Sequence, residues 1–453
     1  MWGLRGPFCI KEGMIWNSLI ELDFLLSLIV VIVYGLFSLR CKNIHLTDVF
    51  FISRLLPFTL IIGFHIESCS NEISPSIDLL VALLTSVVMR NFSNFEAILL
   101  LLFAFIGNIW MLHSIDFMTF FITLEAQNFC FFVLSALMSS KISSSFNVEA
   151  SMKFFVLSAF TSGVLLYWFS NIYLGTGCTT FSLINHFSSS GVWGVTLESV
   201  NSTSLFSYFV LCAFLFKLGA APLHLWVTNI YSGVKRSLLL YMSTIPKLSL
   251  FGFWINNFQT MVSSSSVLLF SIFSLILGSF SAYNQPALRS LFAYSTINEM
   301  GLMLLAVESA GFNALFQHLG LYIISQFLLW NLNDKNLFSI VALTLAGLPP
   351  LAGFFGKAFI FWHASNIGLF STLMIALGCT VVSLVYYLRI IRLFWQPLNR
   401  FISYGFGDPI KRSVVISPIN IYQHLDTRVY LTSLCVVLLF ILPLYVIKPF
   451  VCL

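Results

Sequence analysis

Runs of apolar residues long enough to cross a lipid bilayer recur along almost the whole chain. A transmembrane helix needs about 20 predominantly apolar residues. The sequence therefore predicts an all-α fold, a polytopic membrane helix bundle of about 14 transmembrane helices. We number these spans 1 to 14, and they cover 16–39, 48–66, 76–90, 95–113, 115–139, 148–173, 203–225, 237–258, 263–283, 288–307, 311–332, 337–362, 366–388 and 428–448.

The composition agrees with a membrane protein and argues against several other classes. Only 9% of the 453 residues are charged and the mean hydropathy is +0.94, whereas an ordinary soluble chain carries about 25% charged residues. The net charge of +5 is small and dispersed, so it does not indicate a nucleic-acid surface. The nine cysteines show no C-x-x-C and no paired Cys/His spacing, so no metal, haem or iron–sulfur site is indicated.

The loops between spans alternate in charge, which supports both the number of spans and their orientation. Short loops on the side of synthesis collect Lys and Arg. Loops after even-numbered spans hold acidic residues and histidines but no Lys or Arg. We therefore expect both termini to lie on the side opposite the basic loops. The basic residues of the loops after odd-numbered spans include Arg40, Lys42, Arg90, Lys141, Lys235, Arg236, Arg289, Lys335 and Arg389.

Four ionisable residues lie near the middle of predicted spans: Glu125, Lys217, Lys247 and Lys357, in spans 5, 7, 8 and 12. A charge at a helix centre costs about 2.5–3.5 kcal/mol on insertion scales, while a Leu or Phe returns about 0.3–0.6 kcal/mol. One such residue could be a static ion pair or a snorkelling lysine. Four of them in different helices favour a hydrated ion pathway.

Two of these spans are also interrupted by proline. Pro222 follows Lys217 in span 7, while Pro349 and Pro350 precede Lys357 in span 12. A proline inside a helix removes a hydrogen bond, and the freed backbone groups must line a cavity or be buried in protein. One such proline could be a simple kink. Two breaks beside buried lysines, five helices apart, are typical of transporters with inverted repeats, here spans (helices) 4–8 and 9–13.

Three further residues are supporting candidates: His224, Glu299 and His318, in spans 7, 10 and 11. A lone histidine in such a helix is more often a hydrogen-bonded interior residue than a relay, whereas an isolated mid-helix carboxylate has fewer structural explanations. We expect Lys217, Lys247, Glu299 and Lys357 to lie at one depth and to face an internal hydrated axis.

A lysine path of this kind can move protons. Burial disfavours the charged form of lysine and a nearby carboxylate favours it, so Lys217 would hold its proton beside Glu125 and release it when they separate. Moving one charge against 100 mV takes about 2.3 kcal/mol, which breaking one partly buried ion pair can supply. The sequence offers no G-x-G-x-x-G before a helix and no P-loop, so it predicts no nucleotide cradle.

Together these motifs resemble the antiporter-like membrane subunits of respiratory complex I and their Mrp-type antiporter relatives. The resemblance covers residues 95–395 and implies four segments: 1–94 (three N-terminal helices), 95–260 and 261–395 (the two repeats), and 396–453 (a polar loop and C-terminal helix). The motifs that carry it are 122–125 (ITLE), 149–155 (EASMKFF), 216–226 (FKLGAAPLHLW), 243–247 (STIPK), 291–295 (LFAYS) and 345–357 (LAGLPPLAGFFGK).

The resemblance implies a role for each buried charge. Glu125 and Lys217 would form a switching ion pair, Lys247 would be the central relay and Lys357 the terminal proton site. It further implies a subunit of a proton-translocating NADH:ubiquinone oxidoreductase of the mitochondrial inner membrane. Its partners would be other membrane-arm subunits, including neighbouring antiporter-like ones, and membrane lipids. This chain would hold no cofactor, because FMN, iron–sulfur clusters and ubiquinone are bound by other subunits.

The chain departs from the family pattern at two places and leaves other interpretations open. Thr228 and Asn229 stand where the family usually has Pro-Asp, and Glu299 stands where a histidine is common. The link between Lys247 and Lys357 is therefore expected to differ in detail. The alternatives are an Mrp-type sodium/proton antiporter subunit, a different antiporter-like complex I subunit, and a structural scaffold whose buried charges are inert.

Overall fold

The computed structural model describes the central part of the chain. Spans 1, 2 and 14 lie outside the described residues, as do Arg90, Lys141 and Pro350. The described residues are 74–89, 91–92, 94–137, 144–184, 210–258, 262, 264–331, 335–349 and 351–395.

These residues form a bundle of α-helices, and eight of the described helices are long and apolar enough to cross a membrane. Within the described residues there is no strand, and one isolated bridge joins Asp116 to Thr180. A π-helical turn, Trp254–Phe258, continues α7. The helices are α1 (Ser74–Met89), α2 (Phe95–Leu112), α3 (Phe117–Leu137), α4 (Ser144–Thr176), α5 (210–218), α6 (Leu225–Gly233), α7 (Arg236–Phe253), α8 (Ser264–Asn284), α9 (Leu288–Glu308), α10 (Phe312–Asn331), α11 (Lys335–Ala346), α12 (Ala352–Ile367) and α13 (Phe370–Trp395).

Predicted spans 3 to 13 each coincide with described helices, and spans 7 and 12 are each divided in two, as the prolines predict. One boundary was wrong: span 7 was predicted to end at residue 225, but helical structure resumes in α6 and ends at Gly233. Polar side chains lower the local hydropathy there. The side chains of Thr228 and Asn229 donate hydrogen bonds to the carbonyl of Leu225 at 2.9 and 3.1 Å, so these polar groups have partners within their own helix.

Helices α7 and α9 occupy the centre of the bundle. Of the 18 most apolar consecutive residues in each of these helices, 89% are buried. The corresponding share is 33% for α4 and for α13, which lie at the periphery. Small residues let α9 approach α8 closely, as is common between membrane helices. A Cβ at Gly278 would lie 2.6 Å from the backbone nitrogen of Asn298. The two central helices carry Lys247 and Glu299, so both charges are placed in the core.

The two broken helices are interrupted in a similar way. The first half of each ends at a glycine with positive φ, Gly219 at +75° and Gly347 at +81°. Three residues after each glycine stands a proline, at positions 222 and 350. At the first break, Ala220 N–H donates to the carbonyl of Leu215 at 2.9 Å, so part of the helix end is capped by its own chain. The Ala221–Pro222 peptide bond is cis.

Candidate functional site

The break between α11 and α12 creates a binding place for the ammonium group of Lys357. In an unbroken helix the carbonyl of Leu345 would accept from the residue four positions on, which is Pro349 and has no N–H. Lys357 Nζ takes this position and donates to the Leu345 carbonyl at 2.6 Å. A cation here also lies at a helix C-terminus, where the backbone dipoles favour positive charge.

Glycines allow the two half-helices to cross at this point. A Cβ on Gly353 would lie 1.8 Å from the carbonyl oxygen of Thr344, and one on Gly347 would lie 3.1 Å from Cδ of Lys357. The first distance is much shorter than a van der Waals contact. The atom that the Cβ would meet belongs to the backbone of α11, so it cannot move away as the end of a flexible side chain could. Only glycine therefore permits α12 to start so close to the end of α11.

Glu299 connects Lys357 to a histidine on a third helix. Its Oε1 lies 3.0 Å from Lys357 Nζ, and its Oε2 lies 2.8 Å from Nε2 of His318. The three side chains are between 3% and 6% exposed. Buried charges are tolerated when they are paired and hydrogen-bonded, and here helices α9, α10 and α12 each contribute one member of a buried triad.

A small cavity of about 20 Å³ adjoins this triad. A water molecule needs roughly 10–15 Å³ of such space and two to four polar partners. The cavity walls are both polar and charged, so the site can accommodate a hydrogen-bonded water. Its lining comprises Glu299, His318, Leu321, Tyr322, Ser325, Thr344, Leu345, Gly353 and Lys357.

Lys247 reaches the same region from α7 through Tyr322. Its Nζ donates to the Tyr322 hydroxyl at 3.2 Å and lies 5.2 Å from the centre of that ring. Tyr322 stands one helical turn from His318 on α10 and lines the cavity beside the triad. The hydroxyl of Tyr231, on α6, lies beside Tyr322 as well. The structure thus brings Lys247, Tyr322, His318 and the Glu299–Lys357 pair into one buried polar system.

Lys217 and Glu125 lie near each other without a direct ion pair. Glu125 on α3 is close enough to act electrostatically on Lys217 of α5, but their charged atoms are not within 4.0 Å. Lys217 Nζ is shielded from solvent and has no hydrogen-bond partner in this conformation. Glu125 accepts from the Asn128 side chain at 2.9 Å. The two charged groups are thus separated in this structure, and the switching role of the pair stays a prediction.

The remaining predicted residues lie at the breaks themselves. His224 stands immediately before α6, and its ring packs 5.9 Å, centre to centre, from that of Tyr294. Pro222 and Pro349 are exposed. Within the described residues, no group of three or more His, Cys, Asp or Glu side chains could hold a metal ion.

Sequence reasoning missed a second buried polar cluster, centred on Asn108 of α2. Its Oδ1 accepts from Gln127 Nε2 at 2.8 Å and from Ser249 Oγ at 2.9 Å. Its Nδ2 lies 3.2 Å from the Tyr241 hydroxyl. Uncharged amides in the middle of spans are a weaker signal than lysines because their insertion costs less. The cluster connects α2, α3 and α7 next to the relay candidates.

A second omission is the pair formed by Asp78 and His113. Asp78 Oδ2 lies 2.8 Å from Nε2 of His113. Asp78 is almost fully buried near the start of α1, whereas 39% of the His113 side chain is exposed at the end of α2. The sequence signal was available, since Asp78 is an acidic residue inside predicted span 3.

The fold and the buried charges define a membrane protein of the antiporter-like class, and comparisons with known proteins agree. Residues 114–333 match the family described as NADH:quinone oxidoreductase/Mrp antiporter, transmembrane. The fold is similar to a chain of respiratory complex I from Thermus thermophilus, with a TM-score of 0.72 and 22% identity over 93% of this chain and 98% of that one. It is also similar to a chain of the Mrp complex from Dietzia sp., with a TM-score of 0.66 and 18% identity over 83% and 78%.

One relative is similar along nearly the whole sequence. The NADH-ubiquinone oxidoreductase chain 2 of Chlamydomonas reinhardtii is 45% identical over 434 residues, which cover 96% of this chain and 100% of the relative. At this identity and coverage the relationship extends beyond the fold. The chain belongs to the NADH-ubiquinone oxidoreductase chain 2 family.

Proposed function

We propose that this chain is a proton-translocating membrane subunit of respiratory complex I, the NADH:ubiquinone oxidoreductase, in the mitochondrial inner membrane. The observation that carries the proposal is that Tyr322, which accepts a hydrogen bond from Lys247, lines the same small cavity as the His318–Glu299–Lys357 triad. Ionisable residues inside membrane segments are rare, and they mark ion and proton pathways. Membership of the chain 2 family supports the same assignment.

In the proposed mechanism, Lys217 and Glu125 control entry to the relay. When the two charges approach, Glu125 favours the protonated form of Lys217; when they separate, burial favours its loss of the proton. We assign the separated arrangement of the pair to the releasing state of this mechanism. His224, beside the break that follows Lys217, is the supporting residue on this side.

Lys247 would then pass protons toward Lys357 through groups that both donate and accept. A tyrosine hydroxyl and a neutral imidazole each have a donor and an acceptor, so Tyr322 and His318 suit this role. Lys357 is the terminal proton site, held against the carbonyl end of α11. Pro222, Pro349 and Pro350 free the backbone groups that make such sites possible.

The finer architecture is part of the same proposal. It comprises about fourteen transmembrane helices with inverted repeats at spans 4–8 and 9–13, within segments 95–260 and 261–395. The two breaks support it, because each has a glycine of positive φ three residues before a proline. Segments 1–94 and 396–453 would add helices at the two ends.

The cofactors and partners of the chain are also proposed. NADH oxidation and quinone reduction need redox groups, and we assign FMN, iron–sulfur clusters and ubiquinone to other subunits of the complex. The partners are then other membrane-arm subunits, including neighbouring antiporter-like ones, together with membrane lipids. The similarity to a chain of the Mrp complex keeps a sodium/proton antiporter subunit as the second candidate.

The entry pair provides the test of the function. In assembled complex I, Lys217→Ala and Glu125→Ala are each expected to lower NADH-driven proton pumping at least fivefold, because either change removes one half of the switch. Proton uptake into sealed membranes measures pumping. Lys153→Ala, which removes an exposed lysine of α4 paired with Glu149, is the control. Unchanged pumping in both test variants would favour an inert scaffold instead.

A further inference from the structure

Glu299 uses a different oxygen for each of two partners from different helices. Oε2 pairs with His318 Nε2 at 2.8 Å and Oε1 with Lys357 Nζ at 3.0 Å. All three groups are at least 94% shielded from solvent. The contact with His318 is a hydrogen bond and the contact with Lys357 is an ion pair, and both distances lie within the range over which a proton can be transferred directly. The Glu299 carboxylate therefore bridges His318 and Lys357.

Lys357 has a second anchor that does not depend on Glu299. Its Nζ donates to the Leu345 carbonyl at 2.6 Å, a group left without a helical partner by Pro349. A simple structural ion pair needs no such alternative. Here the ammonium group keeps a hydrogen bond when the carboxylate turns toward His318, so the pair can open without leaving Lys357 unpartnered.

The arrangement also repeats one found in the first half of the chain. In each proposed five-helix repeat the second helix carries a carboxylate, Glu125 or Glu299, and the broken fourth helix carries a lysine, Lys217 or Lys357. In this structure the charged atoms of the first pair are more than 4.0 Å apart, whereas those of the second pair are in contact. The fold thus accommodates this carboxylate–lysine combination both apart and in contact.

We infer that Glu299 and Lys357 form a second switching pair, in which Glu299 passes protons between His318 and Lys357. The inference rests on the proposed function and adds to it, since it makes Glu299 a relay residue rather than a supporting one. It also gives the chain one switch at each end of the relay.

Protons balance in the following sequence. With Glu299 ionised, Lys357 charged and His318 neutral, the triad has no net charge. When His318 accepts a proton from the Tyr322 side, one carboxylate faces two cations, and its hold on Lys357 weakens. Lys357 then releases its proton to the adjoining cavity. The proton on His318 moves to Glu299 and from there to the neutral amine of Lys357, so one proton enters and one leaves.

The test compares two carboxylates of the same helix in the assembled complex. Glu299→Gln keeps the shape and removes the charge and the proton-accepting oxygen. Glu308→Gln, at the far end of α9, is the matched control. We expect Glu299→Gln to lower NADH-driven proton pumping at least fivefold and Glu308→Gln to change it less than 1.5-fold. Electron transfer from NADH to ferricyanide and the amount of assembled complex should stay within 1.5-fold of wild type in both variants.

Two additional measurements separate a relay residue from a structural one. A carboxylate that passes protons becomes transiently protonated, so infrared difference spectra of the NADH-reduced complex should contain a carboxylic acid band that Glu299→Gln lacks. The conservative variant Glu299→Asp keeps a carboxylate that can take up a proton, so it should pump at least twice as fast as Glu299→Gln. Pumping lost equally in both variants, with no carboxylic acid band assignable to Glu299, would show a structural ion pair and overturn the inference.

The same set of variants distinguishes the inference from the function on which it rests. Wild-type pumping in Glu299→Gln, alongside a loss of pumping in Lys217→Ala, would overturn the inference alone. Wild-type pumping in both variants would overturn the proposed function as well.

Discussion

At the scale of single residues, the function depends on charges that are placed where water is scarce. Lys247 and Lys357 are buried, and both have polar partners: a phenol for Lys247, and a helix-end carbonyl together with the Glu299 carboxylate for Lys357. A buried polar group without a partner costs about 1–3 kcal/mol. These partners therefore keep the lysines stable in the core while leaving them able to exchange protons.

The hydroxyl of Tyr322 provides a prediction at this scale. Tyr322→Phe keeps the ring near Lys247 Nζ but removes the hydroxyl that accepts its hydrogen bond at 3.2 Å. Losing about 1.4 kcal/mol of transition-state stabilisation slows a step tenfold, so proton pumping by the assembled complex is expected to fall by about that factor.

The control for this prediction is Tyr241→Phe. It also removes a buried hydroxyl of the core, one that lies 3.2 Å from Asn108 Nδ2 in the other polar cluster. The two variants should lose similar thermal stability, but only Tyr322→Phe should lose pumping. Equal pumping in both would mean that the Tyr322 hydroxyl takes no part in the relay.

At the scale of helices, the break between α11 and α12 is what creates the terminal site. Pro349 leaves a carbonyl without a partner, and Gly347 turns the chain with φ +81°. Gly353 then lets α12 begin against the backbone of α11. The half-helices thus lie in contact although their hydrogen-bond ladder is interrupted, and Lys357 bridges the gap.

Gly353→Ala tests the close approach of these half-helices. Its Cβ would lie 1.8 Å from the Thr344 carbonyl oxygen, so the start of α12 must move away. Overpacking of this kind typically costs about 1–3 kcal/mol, and here it also pulls Lys357 from Leu345. We expect a lower melting temperature of the complex and a large loss of pumping.

The matched control is Gly378→Ala in α13, where a Cβ would meet nothing within 4 Å. Alanine is favoured over glycine in a helix by about 1 kcal/mol, so this variant should be at least as stable as wild type. If Gly353→Ala matched it in both stability and pumping, the close contact between the half-helices would be unimportant.

At the scale of the whole molecule, the central helices α7 and α9 carry buried charges, whereas the charges of the peripheral helices α4 and α13 are exposed. In the most apolar stretch of α7 and of α9, 89% of the residues are buried, whereas in that of α4 and of α13 only 33% are buried. Apolar side chains on the outer helices remain exposed, including Phe160 at 71% and Val381 at 63%. Such faces suit lipid or neighbouring membrane subunits.

Assembly decides between the two candidate functions. We expect the chain, extracted in a mild detergent, to migrate with other complex I subunits in one large particle with NADH dehydrogenase activity. Native electrophoresis followed by mass spectrometry of the particle measures this. A chain that never accompanies complex I subunits, and whose proton transport requires sodium, would instead be an Mrp-type antiporter subunit.

The sequence by itself determined the helices, the two breaks and the identity of the buried charges. In a bilayer each of these features is imposed locally: a span must be apolar over about 20 residues, and a charge or proline within it stands out against that background. Spans 3 to 13 and the positions of Lys217, Lys247 and Lys357 could therefore be read directly. The extension of span 7 to Gly233 could not, because polar residues bonded within their own helix resemble a loop.

Only the tertiary structure decided which charges meet. Glu299 pairs with Lys357, 58 positions away in sequence, and with His318 on a third helix, because the packing of α9, α10 and α12 brings these faces together. Tyr322 and the Asn108 cluster gave only a weak signal in the sequence, since neither carries a charge. Hydropathy reports what a residue costs in lipid, whereas contacts between helices distant in sequence determine what that residue can do.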